Sequence, residues 1–324
     1  MTISGCLPQG IVSVLQIPFS RDGKIDTKCL AHLVKHAAVS GASGVMAPVV
    51  ASEVSHLSLD ERVEVVCTIA EAAANKIPLI VGASSSSVSE CRKFCRLAIQ
   101  EGAIASLVAV PPALRDDADG VLQFFAEVTA GSSLPLLIQD LDWNGSGLPM
   151  DTIIQLGQKL PVFAGLKIET VPAGPKYTIV KSELGESFYV CGGWAVPQMI
   201  EALDRGVDAM VPESSMVRVY REIFNLHRLG ERSQAVQLFR RLLPVLSFAN
   251  QELVTSIAFF KRLLKRKGVF ESDAIRCSEF NWDRYNKRIA DELIDHYLAV
   301  EDSLPPLNSN KNDFGSGILK ESVS

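Results

Sequence analysis

The sequence predicts an α/β fold, a (β/α)8 TIM barrel with a C-terminal helical extension. Three observations lead to this prediction. Eight short apolar runs recur before residue 213, amphipathic segments separate many of them, and the pattern after that point is purely helical. Near-continuous apolar runs are typical of parallel strands covered on both faces. Their alternation with helices is typical of closed barrels and of open doubly wound sheets.

The eight candidate strands are mostly rich in Val, Ile, Leu and Ala, and Gly, Pro or Ser residues bound them. They occupy residues 10–17, 44–50, 78–84, 104–110, 134–140, 163–168, 187–193 and 206–212. No G-x-G-x-x-G fingerprint follows the first run, which argues against the dinucleotide-binding version of an open sheet. The closed barrel is therefore the favoured arrangement.

The intervening segments carry helix start and stop signals. Ser58 and Glu61 form a capping-box pattern at the start of one segment. Each helix tends to end at a glycine just before the next strand, as αβ units do. The clearest candidate helices occupy residues 26–41, 58–76, 87–102, 149–160 and 195–206.

The C-terminal part predicts four more helices, at residues 214–231, 231–249, 251–268 and 281–302. The basic run 261–268 ends in a glycine and is typical of a helix C-terminus. We expect a barrel over residues 1–225, a helical region over 226–302 and a flexible tail over 303–324. The tail is polar and rich in Pro, Gly and Ser.

Composition narrows the class of function. The net charge of −5 and the pI near 5.6 argue against nucleic acid as the main partner. No apolar run approaches the roughly 18–20 residues that a membrane span needs. The N-terminus lacks the pattern of a secretory signal, so we expect a cytoplasmic protein without a membrane partner. The seven cysteines include no C-x-x-C pair, which indicates free thiols and no metal site.

Lys167 is the candidate catalytic residue. It lies near the end of the sixth apolar run, where barrels carry their chemistry. If Leu166 packs outward against helices, Lys167 points into the barrel mouth. Burial there disfavours the charged amine, and a neutral amine attacks a ketone to form a Schiff base. A lysine paired with Glu169 at the rim is the alternative, and position alone leaves both open.

Five stretches resemble the dihydrodipicolinate synthase/N-acetylneuraminate lyase family of class I pyruvate aldolases in order and spacing. They are QIPFSRDGKID (16–26), GASGVMAPVVASEVSHLSLDER (41–62), IPLIVGASSSSVSE (77–90), LVAVPP (107–112) and AGLKIE (164–169). The resemblance implies a lyase of the aldolase, synthase or dehydratase type. Its substrates would be pyruvate or another 2-oxo acid, bound as a Schiff base on Lys167, and an aldehyde. It also implies a homo-oligomer, a dimer or tetramer, without a metal or nucleotide cofactor.

Two departures from the family pattern concern proton transfer. The loop that is usually Gly-Thr-Thr-Gly-Glu reads VVASE, 49–53. The backbone N–H groups of Val50 and Ala51 are therefore expected to bind the substrate carboxylate without side-chain hydroxyls. At the family's catalytic tyrosine, after the fourth strand, this chain has Pro112 and Ala113, neither of which moves a proton.

Other candidate site residues follow the fifth and seventh strands. No arginine follows the fifth strand, where Gln139 and Asp140 supply polar groups. Asp140 or Asp142 is the candidate general base if burial raises its pKa. A loop aspartate that makes turn hydrogen bonds is the alternative, and the interpretation we favour. Gly192 and Gly193 are expected to let a substrate approach the backbone. Tyr189 is either a substitute for the missing tyrosine or, the interpretation we favour, an ordinary tyrosine of the barrel wall.

Two hypotheses of function follow. The first is a metal-independent lyase that acts on a 2-oxo acid through Lys167. The second is a catalytically inactive family member that binds a 2-oxo acid or serves as a regulatory protein, which the replaced threonines and tyrosine favour. A retained buried amine without a use would only destabilise the fold, which favours the first.

Overall fold

The computed structural model describes residues 7–194, 197–277 and 279–306, and its centre is a closed barrel of eight parallel strands. Each strand pairs with its neighbours in sequence, and β1 closes the barrel against β8. The predicted (β/α)8 barrel is confirmed. The strands are β1 (Gly10–Val14), β2 (Gly44–Ala47), β3 (Leu79–Gly82), β4 (Ala105–Ala109), β5 (Leu136–Asp142), β6 (Phe163–Thr170), β7 (Tyr189–Gly192) and β8 (Ala209–Met210).

Seven helices alternate with these strands. The capping box at Ser58 is confirmed, because its side chain accepts from the Glu61 N–H while the Glu61 carboxylate accepts from the Ser58 N–H. The helices that the sequence signals singled out are α1 (Thr27–Val39), α2 (Leu59–Ala73), α3 (Val88–Gln100), α5 (Met150–Lys159) and the shorter α7 (Met199–Asp204). Residues 195–196, where the last of these was expected to begin, lie outside the described residues. Two further helices are α4 (Ala118–Thr129) and α6 (Gly174–Leu184).

The helical C-terminal part is confirmed as four helices: α8 (Val217–Arg228), α9 (Arg232–Ala249), α10 (Leu253–Arg266) and α11 (Arg284–Asp302). Gly268 follows α10 with a positive φ of 71°, as a helix-terminating glycine does. Helix α10 contacts the short 3₁₀ helix Val50–Ser52 that follows β2. The C-terminal part therefore reaches the mouth of the barrel. The expected tail lies outside the described residues from residue 307 onward.

Side chains alternate along the strands between two environments. In β6, Leu166 and Ile168 pack under the surrounding helices. Lys167 and Glu169 must therefore face the barrel interior, because successive residues of a strand point to opposite sides. This alternation gives the barrel a polar layer inside otherwise apolar walls.

The six cysteines within the described residues are free thiols, as expected, and Cys6 lies outside that part of the chain. No helix in the described ranges combines the length and the apolarity that crossing a membrane requires.

Candidate active site

Lys167 lies at the base of a pocket at the carboxyl ends of the strands. The register of the sheet places it beside Gln139 of β5 and Cys191 of β7. Its Nζ atom is 2.7 Å from Oε2 of Glu169, and the two side chains are only 4% and 6% exposed. Burial raises the pKa of the Cys191 thiol far above its ordinary value. The carboxylate of Glu169 is the acidic group in direct contact with the amine.

Glu169 is held in place from two further directions. Gln139 Nε2 donates a hydrogen bond to the same carboxylate oxygen that contacts Lys167. Gly193, just after β7, leaves room for that carboxylate. A Cβ atom at Gly193 would overlap Glu169 Oε1 and lie 3.0 Å from Lys167 Cε. The expectation that Gly193 allows close approach at the site therefore has a specific basis, although the group that approaches is Glu169.

The pocket above this cluster contains about 540 Å³ of empty space, its opening included. Val50 and Ala51 line it from the 3₁₀ helix after β2, and their expected binding of a carboxylate stays a prediction. In the described residues, neither residue's N–H group donates to a backbone carbonyl. These two N–H groups are therefore available to an anionic group in the pocket.

A second buried carboxyl group lines the pocket after β8. Glu213 accepts hydrogen bonds from the backbone N–H and the hydroxyl of Ser215, and from Gln16 Nε2 at 3.4 Å. Burial raises the pKa of Glu213 to about 6, against the lowering effect of the Ser215 hydrogen bonds. Glu213, which lines the pocket, therefore changes charge near pH 6.

Asp140 does not lie in the pocket. Gln139 faces the interior, so Asp140 faces the outer helices, where its carboxylate pairs with Lys176 and accepts from the N–H of Leu148 at 2.9 Å. Burial raises the pKa of Asp140, and the charge of Lys176 opposes that rise. The structure thus contradicts the expectation of a general base at Asp140, because its lone pairs are used in fixing a loop.

Gly192 also faces outward, where an added Cβ atom would lie 2.5 Å from Tyr177 Oη. The expectation that Gly192 approaches the substrate is therefore wrong for the same geometric reason. Tyr189 faces the interior, but its hydroxyl donates to the carbonyl of Pro8 at 2.8 Å, away from the pocket. It is a tyrosine of the barrel wall. The positions of the missing family tyrosine, Pro112 and Ala113, do not line the pocket either.

Sequence reasoning missed the part of the site that non-local packing builds. Trp143 lines the pocket after β5, and α10 contributes Leu253, Ile257 and Phe260. Trp194 was not missed in the same way, because it directly follows the expected site glycines after β7, and it also lines the pocket. The 3.6-residue period of α10 gives it an apolar face, but nothing local indicates which surface that face covers.

Helix α10 is also tied to the loop that carries Val50 and Ala51. Lys261 is fully buried and pairs with Glu53, the residue that ends the 3₁₀ helix in a left-handed conformation. The second Glu53 oxygen accepts from the Arg276 N–H at 2.7 Å. The loop conformation therefore depends on the C-terminal part of the chain.

Within residues 7–194, 197–277 and 279–306, no three His, Cys, Asp or Glu side chains group together in a way that would hold a metal ion. The expectation of a site without a metal or nucleotide cofactor stays a prediction.

Comparison with known proteins gives this arrangement a context. The model of the family described as "Dihydrodipicolinate synthetase family" matches residues 7–279. A 4-hydroxy-tetrahydrodipicolinate synthase from Chelativorans sp. (strain BNC1) is 33% identical over 240 residues, which are 73% of this chain and 81% of that protein. An L-2-keto-3-deoxyarabonate dehydratase from Azospirillum brasilense is 25% identical over 275 residues, which are 83% and 87% of the two chains.

The crystal structure of dihydrodipicolinate synthase from Rhodopseudomonas palustris superposes with a TM-score of 0.84. The superposition covers 91% of this chain and 99% of that one, at 23% identity, and so supports the fold alone. The family match covers the whole barrel with its lysine strand and three of the four C-terminal helices, α8 to α10. The chain therefore belongs to the dihydrodipicolinate synthetase family.

Proposed function

We propose that the protein is a lyase for a pyruvate-type 2-oxo acid and that it forms a Schiff base with this substrate on Lys167. The observation that carries the proposal is the buried amine of Lys167, 2.7 Å from a carboxylate at the base of a pocket. An amine so placed is shielded from water and aimed at whatever fills the pocket. Both features favour condensation with a ketone.

The proton on the amine has a defined acceptor in this proposal. Glu169 takes a proton from the Lys167 ammonium, and the neutral amine then adds to the ketone carbon. The carbinolamine loses water, with the proton held by Glu169 available for the leaving hydroxyl, and a protonated imine remains. Gln139 keeps the carboxylate in place through these steps because it donates to the oxygen nearest the amine.

The substrate carboxylate would bind at the start of the 3₁₀ helix, where the N–H groups of Val50 and Ala51 are available. Backbone donors of this kind bind an anion without a side-chain hydroxyl. The proposal therefore accommodates the loss of the two threonines.

The protonated imine withdraws electrons from the adjacent carbon, which allows a C–C bond to break or form, or a hydroxyl group to leave, next to it. Glu169 is the group at Lys167 placed to move the required protons, because no tyrosine lines the described pocket. The imine supplies the electron sink, so activity should survive treatment with a chelator. Relatives named as a synthase and as a dehydratase support this range of reactions.

Borohydride reduction in the presence of pyruvate tests the proposal. We expect a stable adduct on the peptide that contains Lys167, detected by mass spectrometry. The adduct should be absent in Lys167→Ala and present in the control Lys159→Ala, which removes an exposed lysine at the end of α5. Wild-type protein without an adduct would refute Schiff-base chemistry.

A second measurement separates the lyase from the alternative of a 2-oxo-acid binder without turnover. A panel of 2-oxo sugar acids is assayed for release of pyruvate and for dehydration. Turnover that is lost in Lys167→Ala supports the lyase. An adduct without turnover across the panel supports the binder, which the replaced threonines and tyrosine would then explain.

A further inference from the structure

We propose that the outer part of the pocket selects a 2-oxo acid whose far end is uncharged and apolar, with an aryl ring as the preferred group. The inference rests on the proposed function, which places the 2-oxo acid end at Lys167. Its own basis is the chemistry of the walls beyond the ends of the strands.

Two apolar surfaces border the outer pocket. One consists of Trp143 and Trp194, from the loops after β5 and β7. The other consists of Leu253, Ile257 and Phe260 of α10, which packs on the 3₁₀ helix after β2. Since β2 stands across an eight-stranded barrel from β6, these surfaces lie on opposite sides of the pocket. A flat apolar group between them would contact both.

The two tryptophan rings pack against each other. Their ring centroids are 4.2 Å apart and the ring planes are inclined by 35°. Trp194 adopts a left-handed conformation with φ of 59°, which is costly for a bulky residue. Trp143 Nε1 is buried without a hydrogen-bond partner among the described residues. The tryptophan pair thus lines the pocket with aromatic rings, which are suited to contact with an aryl group.

The loop that carries Trp143 is fixed in place. Lys176 pairs with Asp140 and donates to two carbonyl groups of the loop, at 2.6 and 2.7 Å. Arg115 lies 3.3 Å from the carboxylate of Asp142, the residue before the tryptophan. A surface held this firmly loses little entropy when a ligand binds.

The charged groups of the pocket argue against a substrate whose far end is anionic. Among the described residues, Lys167 is the only cationic side chain that lines the pocket. Glu169 and Glu213 contribute carboxyl groups to the same cavity. A second carboxylate or a phosphate at the far end of the substrate would find no positive partner and would face two acidic groups at low solvent access.

Two probes of equal chain length test the inference. 2-Oxo-4-phenylbutanoate and 2-oxoglutarate differ only in the phenyl or carboxylate group at the far end. The concentration that gives half-maximal borohydride trapping on Lys167 is measured for each, with pyruvate as the reference. We expect the phenyl probe to reach half-maximal trapping at a concentration about tenfold lower. Equal values, or a preference for 2-oxoglutarate, would overturn the inference.

Variants locate the origin of the preference. Trp143→Ala should reduce the preference for the phenyl probe to about threefold or less, while Tyr285→Ala, which removes an exposed aromatic residue, should leave it unchanged. Trp194→Ala is the second variant, and it also removes a bulky residue from a left-handed backbone. A preference that survives in both tryptophan variants would refute the role of this surface.

The design separates this inference from the proposed function. Pyruvate trapped on Lys167 without a phenyl preference would leave the Schiff base intact and overturn only the selection of an apolar group. If no 2-oxo acid is trapped, the proposed function fails. Quenching of tryptophan fluorescence by the two probes then still decides the inference, since tighter binding of the phenyl probe supports it and equal binding refutes it.

Discussion

Gly193→Ala is the substitution that tests the geometry at Lys167 most directly. The added Cβ atom would lie 2.8 Å from Glu169 Cδ, whereas unstrained contacts begin near 3.4 Å. The overlap with Glu169 Oε1 is tighter still, so the carboxylate must retreat by at least roughly 0.6 Å. This movement lengthens its 2.7 Å contact with Lys167 to about 3.3 Å or more, beyond a good hydrogen bond. Loss of a positioned proton acceptor costs about 10²- to 10⁴-fold in rate.

The assay is the initial rate of borohydride trapping with pyruvate, which needs no knowledge of a second substrate. We expect Gly193→Ala to lower this rate by about 10²-fold or more while the protein remains folded by circular dichroism. Gly157→Ala is the matched control, because that glycine lies inside α5 and alanine there meets only the end of Leu184 at 3.0 Å. A trapping rate for Gly193→Ala within about twofold of wild type would refute the role given to Glu169.

Three further predictions concern stability, each measured by urea unfolding. Lys261→Met should lower the free energy of unfolding by about 3–5 kcal/mol, because Glu53 is left charged and buried without its partner. The double variant with Glu53→Gln should recover most of this stability. A loss below about 1 kcal/mol in the single variant would contradict the argument. Folding raises the pKa of Glu213 from 4.5 to about 6. The resulting stability, about 2 kcal/mol, is present below pH 4.5 and is lost as pH rises through 6. The Glu213→Gln variant should not lose stability over this pH range. If the free energy of unfolding of both proteins changes with pH in parallel, the role given to Glu213 is refuted. Gly82→Ala should lower the free energy of unfolding by about 2 kcal/mol or more. The added Cβ atom would overlap the carbonyl oxygen of Pro48, and a backbone atom moves little. A urea midpoint equal to that of the wild type would disprove this contact.

The features that follow from strand alternation were predictable from sequence. An outward Leu166 implies an inward Lys167, and the structure has both. The same rule applied to β5 means that the side chains of Asp140 and Gln139 point to opposite faces of the strand. The wrong expectation for Asp140 arose because both residues were assigned to the rim of the pocket. The period of two was sufficient to separate them.

Other features depend on partners that are distant in sequence. Lys261 belongs to a basic run that is typical of a solvated helix end, yet it is fully buried against Glu53, 208 residues away. Trp194 lies in a backbone conformation that its residue type disfavours, and no local pattern encodes it. Such placements follow from how whole elements pack, which single-sequence patterns do not specify.

The link between α10 and the loop after β2 has an evolutionary consequence. The barrel supplies the buried amine of Lys167, and the C-terminal segment supplies one wall of the cavity. Through Lys261 and Glu53 that segment also anchors the turn that is expected to hold the substrate carboxylate. A chimera that exchanges barrels between two relatives would transfer the two tryptophans of the pocket but not the wall that α10 supplies or its anchor on the turn. Substitutions on the pocket face of α10 would therefore change one wall of the cavity while Lys167 and Glu169 of the barrel stay in place.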